Sequence, residues 1–122
     1  MELSKESKVA INGTSLSKAL DVAMIVVHLE DTAVLWIDHR CGGSSEVSFA
    51  YADSIKLYRA RVREEVQKYL KEWRRDYGPL IAYAHEDDAS WNCLLLEAGF
   101  TVSRGLGGGF TVMDKRPDHA AP

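Results

Sequence analysis

Leu80-Ile81-Ala82-Tyr83-Ala84-His85-Glu86-Asp87-Asp88-Ala89-Ser90-Trp91-Asn92-Cys93-Leu94-Leu95-Leu96-Glu97-Ala98-Gly99-Phe100 decides how the rest of the chain is read. Its first five residues form an apolar run of strand length. Asp87 or Asp88 then offers a side-chain oxygen to cap a helix from Ala89 to about Leu96. Gly99 is the expected left-handed terminator of that helix. Strand, capped helix and glycine stop thus follow one another with almost no linker.

Upstream, Tyr77-Gly78-Pro79 stops the longest element, which begins at Asp53 and runs over about 54–76. Ile55, Tyr58, Val62, Val66, Tyr69 and Trp73 recur there at steps of three and four, one apolar stripe on a helix. Its other faces carry Lys56, Arg59, Arg61, Arg63, Lys68, Lys71, Arg74 and Arg75, diluted by Glu64, Glu65 and Glu72. That composition describes a solvated helix surface. A strand that follows a helix this long pairs in parallel with the strand before it, through a right-handed crossover. The strand before it is 46–51, alternating polar and larger apolar residues.

Further upstream, Met24–Leu29 and Ala33–Ile37 are β-branched apolar runs joined by Glu30-Asp31-Thr32, and so short a connection permits only an antiparallel hairpin. Arg40–Ser45, with Gly42-Gly43, turns into the third strand. Before the hairpin, Asn12-Gly13 marks a turn and Thr14 or Ser15 caps a short helix to about Val22, with Leu16, Leu20 and Ala23 on one side. Downstream, Phe100–Val102 and Phe110–Met113 flank Gly105-Leu106-Gly107-Gly108-Gly109, a final hairpin with a glycine-rich tip. No helix follows those glycines, so they are not a dinucleotide fingerprint. The fold class is α/β, an α+β mixed sheet: antiparallel strands, a parallel β-α-β crossover and a C-terminal hairpin. Residues 1–114 make one domain and 115–122 a loose tail.

The 122 residues are 46% hydrophobic and 27% charged, enough for one folded core. Fifteen basic against eighteen acidic residues give a net charge of −3, which argues against a broad nucleic-acid surface. No apolar run reaches bilayer length and the charged opening Met1–Glu6 is no signal peptide, so no membrane is expected and the cytoplasm is the expected compartment. Cys41 and Cys93 stand alone, without a CxxC partner, so neither a metal site nor a disulfide framework is expected. Cys93 is expected to face the core and Cys41 lies in a glycine-rich turn. Trp36, Trp73 and Trp91 read as core or interface anchors, because basic residues do not surround them.

The element order, with Ala84–Trp91 and Leu94–Phe100, resembles the GCN5-related N-acetyltransferase (GNAT) family. In that family the last-but-one strand leads to an Asn-capped helix ending in Gly-Phe; Asp88 stands at the Asn position, eleven residues before Gly99. The run from Cys41-Gly42-Gly43 through Tyr58-Arg59 and Trp73–Tyr77 to Ala98-Gly99 is similar to acetyltransferase-like internal virion, or head-morphogenesis, proteins of short-tailed bacteriophages.

The resemblance implies acetyl-CoA, held by a glycine-bearing loop at the start of the long helix, where free amides take the pyrophosphate. Here Ala52–Arg61 contains no glycine, and Asp53 as N-cap would set a carboxylate against those amides. No cofactor is therefore expected. Were acetyl-CoA to bind, Phe49, Tyr51, Lys56, Arg59 and Arg61 are the residues to hold it. The family's acid, a Tyr four residues before the helix-ending Gly, is replaced by Leu95, which transfers no proton. His85, at the carboxyl end of the fourth strand, and Glu46, on the third, are the remaining catalytic candidates, with Glu86 a further carboxylate; His28 and His39 have no triad-like neighbours. Only about 14 residues precede the first helix, so the family's opening strand and helix are expected to be truncated. An uncovered sheet edge favours a protein partner, a phage assembly or a homo-oligomer.

The expected function is that of an acetyltransferase-like phage protein with a degenerate acetyl-CoA site, non-catalytic, acting in virion structure or morphogenesis in the host cytoplasm or the particle. The alternative is an active N-acetyltransferase in which a protein or small-molecule amine attacks acetyl-CoA directly.

Overall fold

A computed structural model describes Leu3, residues 16–39, 43–107 and 109–115. The expected turn at Asn12-Gly13, the Thr14 or Ser15 cap, Cys41 and residues 116–122 lie outside the described residues. Elements follow as α1 (Leu16–Asp21), β1 (Ile25–Leu29), β2 (Ala33–His39), β3 (Ser45–Tyr51), a 3-10 helix (Asp53–Leu57), α2 (Arg59–Tyr77), β4 (Leu80–His85), α3 (Ala89–Glu97), β5 (Thr101–Gly107) and β6 (Phe110–Lys115). The strands form one mixed sheet in the order β1-β2-β3-β4-β6-β5.

β1 and β2 form the expected hairpin, with Leu29 paired to Ala33. The turn places Glu30 and Asp31 at φ 51° and 55°, and the Thr32 amide donates to the Leu29 carbonyl at 3.0 Å. Two successive left-handed residues match the strands' right-handed twist. β2 pairs with β3 along its whole length, from Ala33–Tyr51 to His39–Ser45.

β3 and β4 run parallel, as the intervening helix requires, but the ladder holds only two pairs, Ser45–Leu80 and Glu46–Ile81. Beyond them the strands diverge. β4 meanwhile pairs with β6 over all six of its residues, from Leu80–Lys115 to His85–Phe110. β5, which extends through Gly107 rather than ending near Val102, closes the sheet against β6 with two register irregularities.

The larger core lies under α2 and α3, where alternate residues of each strand point. It includes Leu35 and Ile37 of β2, Val47 and Phe49 of β3, Leu80, Ala82 and Ala84 of β4, Val62, Val66, Leu70 and Trp73 of α2, and Trp91 and Leu95 of α3. On the opposite face, Val34, Trp36 and Ala50 pack with Leu16, Ala19, Leu20 and Ala23 of the α1 region, joined by Leu3, which bridges to Ala52. All three tryptophans are buried. Among the described residues no helix is long and apolar enough to cross a membrane.

Two expectations need correction. The long α-helix begins at Arg59, not near Asp53: residues 53–57 form a 3-10 helix, and the N-cap of α2 is Tyr58, which makes no side-chain cap. The 3-10 segment resets the helical phase. Tyr58 is consequently exposed, while Leu70 joins Val62, Val66 and Trp73 on the buried stripe. Cys93, expected in the core, is exposed. α3 buries Trp91, Leu94 and Leu95, spaced i, i+3, i+4, and Cys93 lies two residues from Trp91, about 200° around the helix.

Candidate functional site

α3 forms as its sequence dictates. Asp88 is the N-cap and its Oδ1 accepts the Trp91 amide at 3.1 Å. At the other end Gly99 takes φ 92°, the Gly99 amide donates to the Leu96 carbonyl and the Phe100 amide to the Leu95 carbonyl, both at 3.0 Å. That pair of bonds is the Schellman closure of a helix. α3 is tied to α2 by Arg63 Nε on Glu97 Oε2 at 2.8 Å and by Gln67 Nε2 donating to the Leu94 carbonyl at 2.9 Å.

Between the 3-10 helix, the start of α2 and α3 lies a cavity of about 520 Å³. That volume suits a small ligand. Tyr51 and Val62 line its inner part with Leu94; Lys56, Arg59 and Arg63 supply cations, Asp53, Asp87 and Glu97 carboxylates, and Ser90 and Cys93 polar groups from α3. The lining thus includes a thiol that the sequence assigned to the core. No side chain caps α2, so Asp53 does not bond to its first amides as the sequence suggested, although its carboxylate lines the same cavity. Lys56, Arg59 and this helix start can hold an anionic group such as a pyrophosphate.

Tyr51 is the β3 side chain in the cavity lining. Its hydroxyl donates to Asp88 Oδ1 at 2.7 Å, and Asp88 is fully buried. Behind it, Tyr51 stacks on Phe49 with centroids 5.4 Å apart, and Phe49 on Trp91 at 5.3 Å. The Trp91 indole N–H donates to the carbonyl of Tyr83 in β4 at 3.3 Å. One aromatic stack therefore reaches from β3 to β4 where their ladder has ended.

The expected site residues separate into three places. Tyr51, Lys56 and Arg59 line the cavity; Phe49 lies in the core behind it. Arg61 points away, its side chain 73% exposed, with Nη1 3.5 Å from Glu30 Oε1. His85 and Glu46 lie elsewhere again. Leu80, Ala82 and Ala84 face the helices, so strand alternation turns His85 to the other face of the sheet. Its side chain is 18% exposed; Nδ1 accepts the Asp87 amide at 3.1 Å and Asp87 Oδ2 is 3.8 Å away. Gly109, at φ 82°, packs so closely here that a Cβ would sit 3.1 Å from His85 Nε2. Glu46 pairs with Ile81, four residues back along β4, about 13 Å from His85 at the rise of a strand. Leu95 is fully buried and outside the cavity lining. Among the described residues no group of three His, Cys, Asp or Glu side chains is arranged to hold a metal ion.

No family model and no curated protein matches the sequence. Solved structures do match in shape. The GNAT domain of S. lividans PAT superposes with a TM-score of 0.66 at 15% identity, over 93% of this chain and 78% of that one. A putative acetyltransferase, yncA, from Salmonella typhimurium with its cofactor acetyl-CoA gives 0.56 at 21% identity, over 75% of this chain and 61% of that one. A ribosomal-protein alanine acetyltransferase from Vibrio fischeri gives 0.56 at 12%, over 75% and 57%. This chain thus spans about three fifths of the length of the last two. With the mixed sheet, the β3-α2-β4 crossover and the capped α3 already established, these superpositions show that the chain has the GNAT acetyltransferase fold.

Proposed function

We propose that this chain is an acetyltransferase-like protein that does not transfer acetyl groups and works by binding. One observation carries this reading: neither of the expected catalytic residues, His85 and Glu46, lines the cavity. His85 and Glu46 lie on the far face of the sheet, about 13 Å apart, and the position of the family's acid is the buried Leu95. General acid–base catalysis needs its donor within hydrogen-bond reach of the reacting atom. Acetyl-CoA fits in part. Lys56, Arg59 and the uncapped start of α2 suit its phosphates, and bound there it would supply an activated thioester. Incubation with acetyl-CoA and a panel of amines and peptides, followed by thiol release, should show no turnover above buffer. Amine-dependent release would overturn the proposal.

The second reading, an N-acetyltransferase working by direct attack of an amine, is favoured by the fixed orientation of His85. The Asp87 amide occupies Nδ1, which places the proton of the neutral ring on Nε2. Turnover abolished by His85→Ala would establish that reading.

The place of action we propose is a phage particle or its assembly, through a protein partner. Support comes from the resemblance of residues 41–99 to virion and head-morphogenesis proteins, and from the exposed apolar side chains of Leu57, Leu96 and Val102. Mass spectrometry of purified particles tests it: recovery of the chain in stoichiometric amount supports the placement, and its absence from particles and their precursors removes it.

A further inference from the structure

A ligand anchored at Lys56 and Arg59 lies on the helix face of the sheet, and an arm running from there through the sheet needs an opening between strands. The strands are hydrogen-bonded to their neighbours on both sides of the divergence, β3 to β2 and β4 to β6, so the passage has to be the opening between β3 and β4. The chain fills that opening itself. Tyr51, Phe49 and Trp91 stack across it, the Tyr51 hydroxyl is held by buried Asp88, and the indole N–H is held by the Tyr83 carbonyl. Consistent with this, among the described residues lining the cavity none comes from β4, and β3 contributes only Tyr51.

We infer that this aromatic stack excludes the pantetheine arm of a coenzyme A thioester, so that the cavity selects a compact phosphate-bearing ligand of the nucleoside diphosphate class. Trp91 is the specificity-determining residue, because its ring stacks on Phe49 of β3 while its indole N–H is held by the Tyr83 carbonyl of β4. The inference rests on the cavity described above as a binding site and does not require the protein to be inactive.

ADP and dephospho-coenzyme A share the adenosine and the pyrophosphate and differ only by the arm, so calorimetry with each on the full chain isolates what the arm contributes. For the wild type the two dissociation constants should agree within about threefold, since an arm left in solvent adds no contact. Trp91→Ala should open the passage and favour dephospho-coenzyme A over ADP by about tenfold or more. Where that variant does not fold, Trp91→Phe, which keeps a ring but removes the bond to Tyr83, should shift the ratio in the same direction. Wild-type binding of dephospho-coenzyme A at least about tenfold tighter than ADP overturns the inference. Binding of neither ligand also overturns it, and leaves the absence of acetyl transfer to be decided by the turnover assay alone.

Discussion

Asp88 joins local and long-range order in one carboxylate. It caps α3 through the Trp91 amide and takes the Tyr51 hydroxyl from a strand 37 residues away. Asp88→Ala removes both, and the loss should be about 2–3 kcal/mol, one part for the cap and the larger part for a buried hydroxyl left without an acceptor. Asp88→Asn keeps an N-cap of equal quality and should lie within about 1 kcal/mol of wild type; urea midpoints distinguish the two. The cap was legible because Asp precedes an apolar helix at the right spacing. Its partner was not, since no local pattern links Tyr51 to Asp88. Cys93 shows the converse limit. In Ala-Ser-Trp-Asn-Cys-Leu-Leu-Leu-Glu nearly every position is apolar or small, so periodicity does not choose the buried face, and the large indole does. In a Cys41→Ser background, Cys93 should react with a small aromatic disulfide reagent without denaturant, to one equivalent per chain. Protection until unfolding would put the thiol back in the core.

Among elements, hairpin and crossover were legible and the entrance to α2 was not. β-branched runs with a three-residue polar connection leave one pairing, and a helix of this length between strands leaves one direction. Residues 53–57, in contrast, carry apolar spacing that suits a continuing helix, and only tertiary context turned them into a 3-10 segment that shifts the phase. The stripe downstream survived the shift. Trp73→Ala should therefore cost about 3–5 kcal/mol in denaturant unfolding, with Val62, Val66 and Leu70 left around the vacancy. The β1–β2 turn offers an improvement. Asp31 holds φ 55°, a conformation that burdens any Cβ, and the second central position of such a turn favours glycine. Asp31→Gly should stabilise the fold by about 0.5–1 kcal/mol, seen as a higher melting temperature; destabilisation would mean that the Asp31 side chain holds the turn.

On the scale of the whole molecule, a net charge of −3 repels anions at long range, so attraction to the cavity is local, through Lys56 and Arg59. Arg59→Glu should weaken ADP by about tenfold at low salt, with the difference shrinking as ionic strength rises past the point where the screening length is about 8 Å. An unchanged affinity would remove Arg59 from the site. The two-pair junction between β3 and β4 has a consequence for how the protein is made. β1-β2-β3 is complete by Tyr51, and β4, β5 and β6 all come from Leu80 onward, so each three-stranded half is built from its own stretch of chain and α2 is the covalent link. During synthesis the first half can form before the second has left the ribosome. The last event is then a docking of two finished pieces, driven by the apolar faces of α2 and α3 and by the Trp91 ring seating on Phe49, with little strand pairing left to add. A chain severed between Tyr77 and Leu80 should accordingly reassemble from its two fragments, held by side-chain packing where a continuous sheet would be held by its backbone.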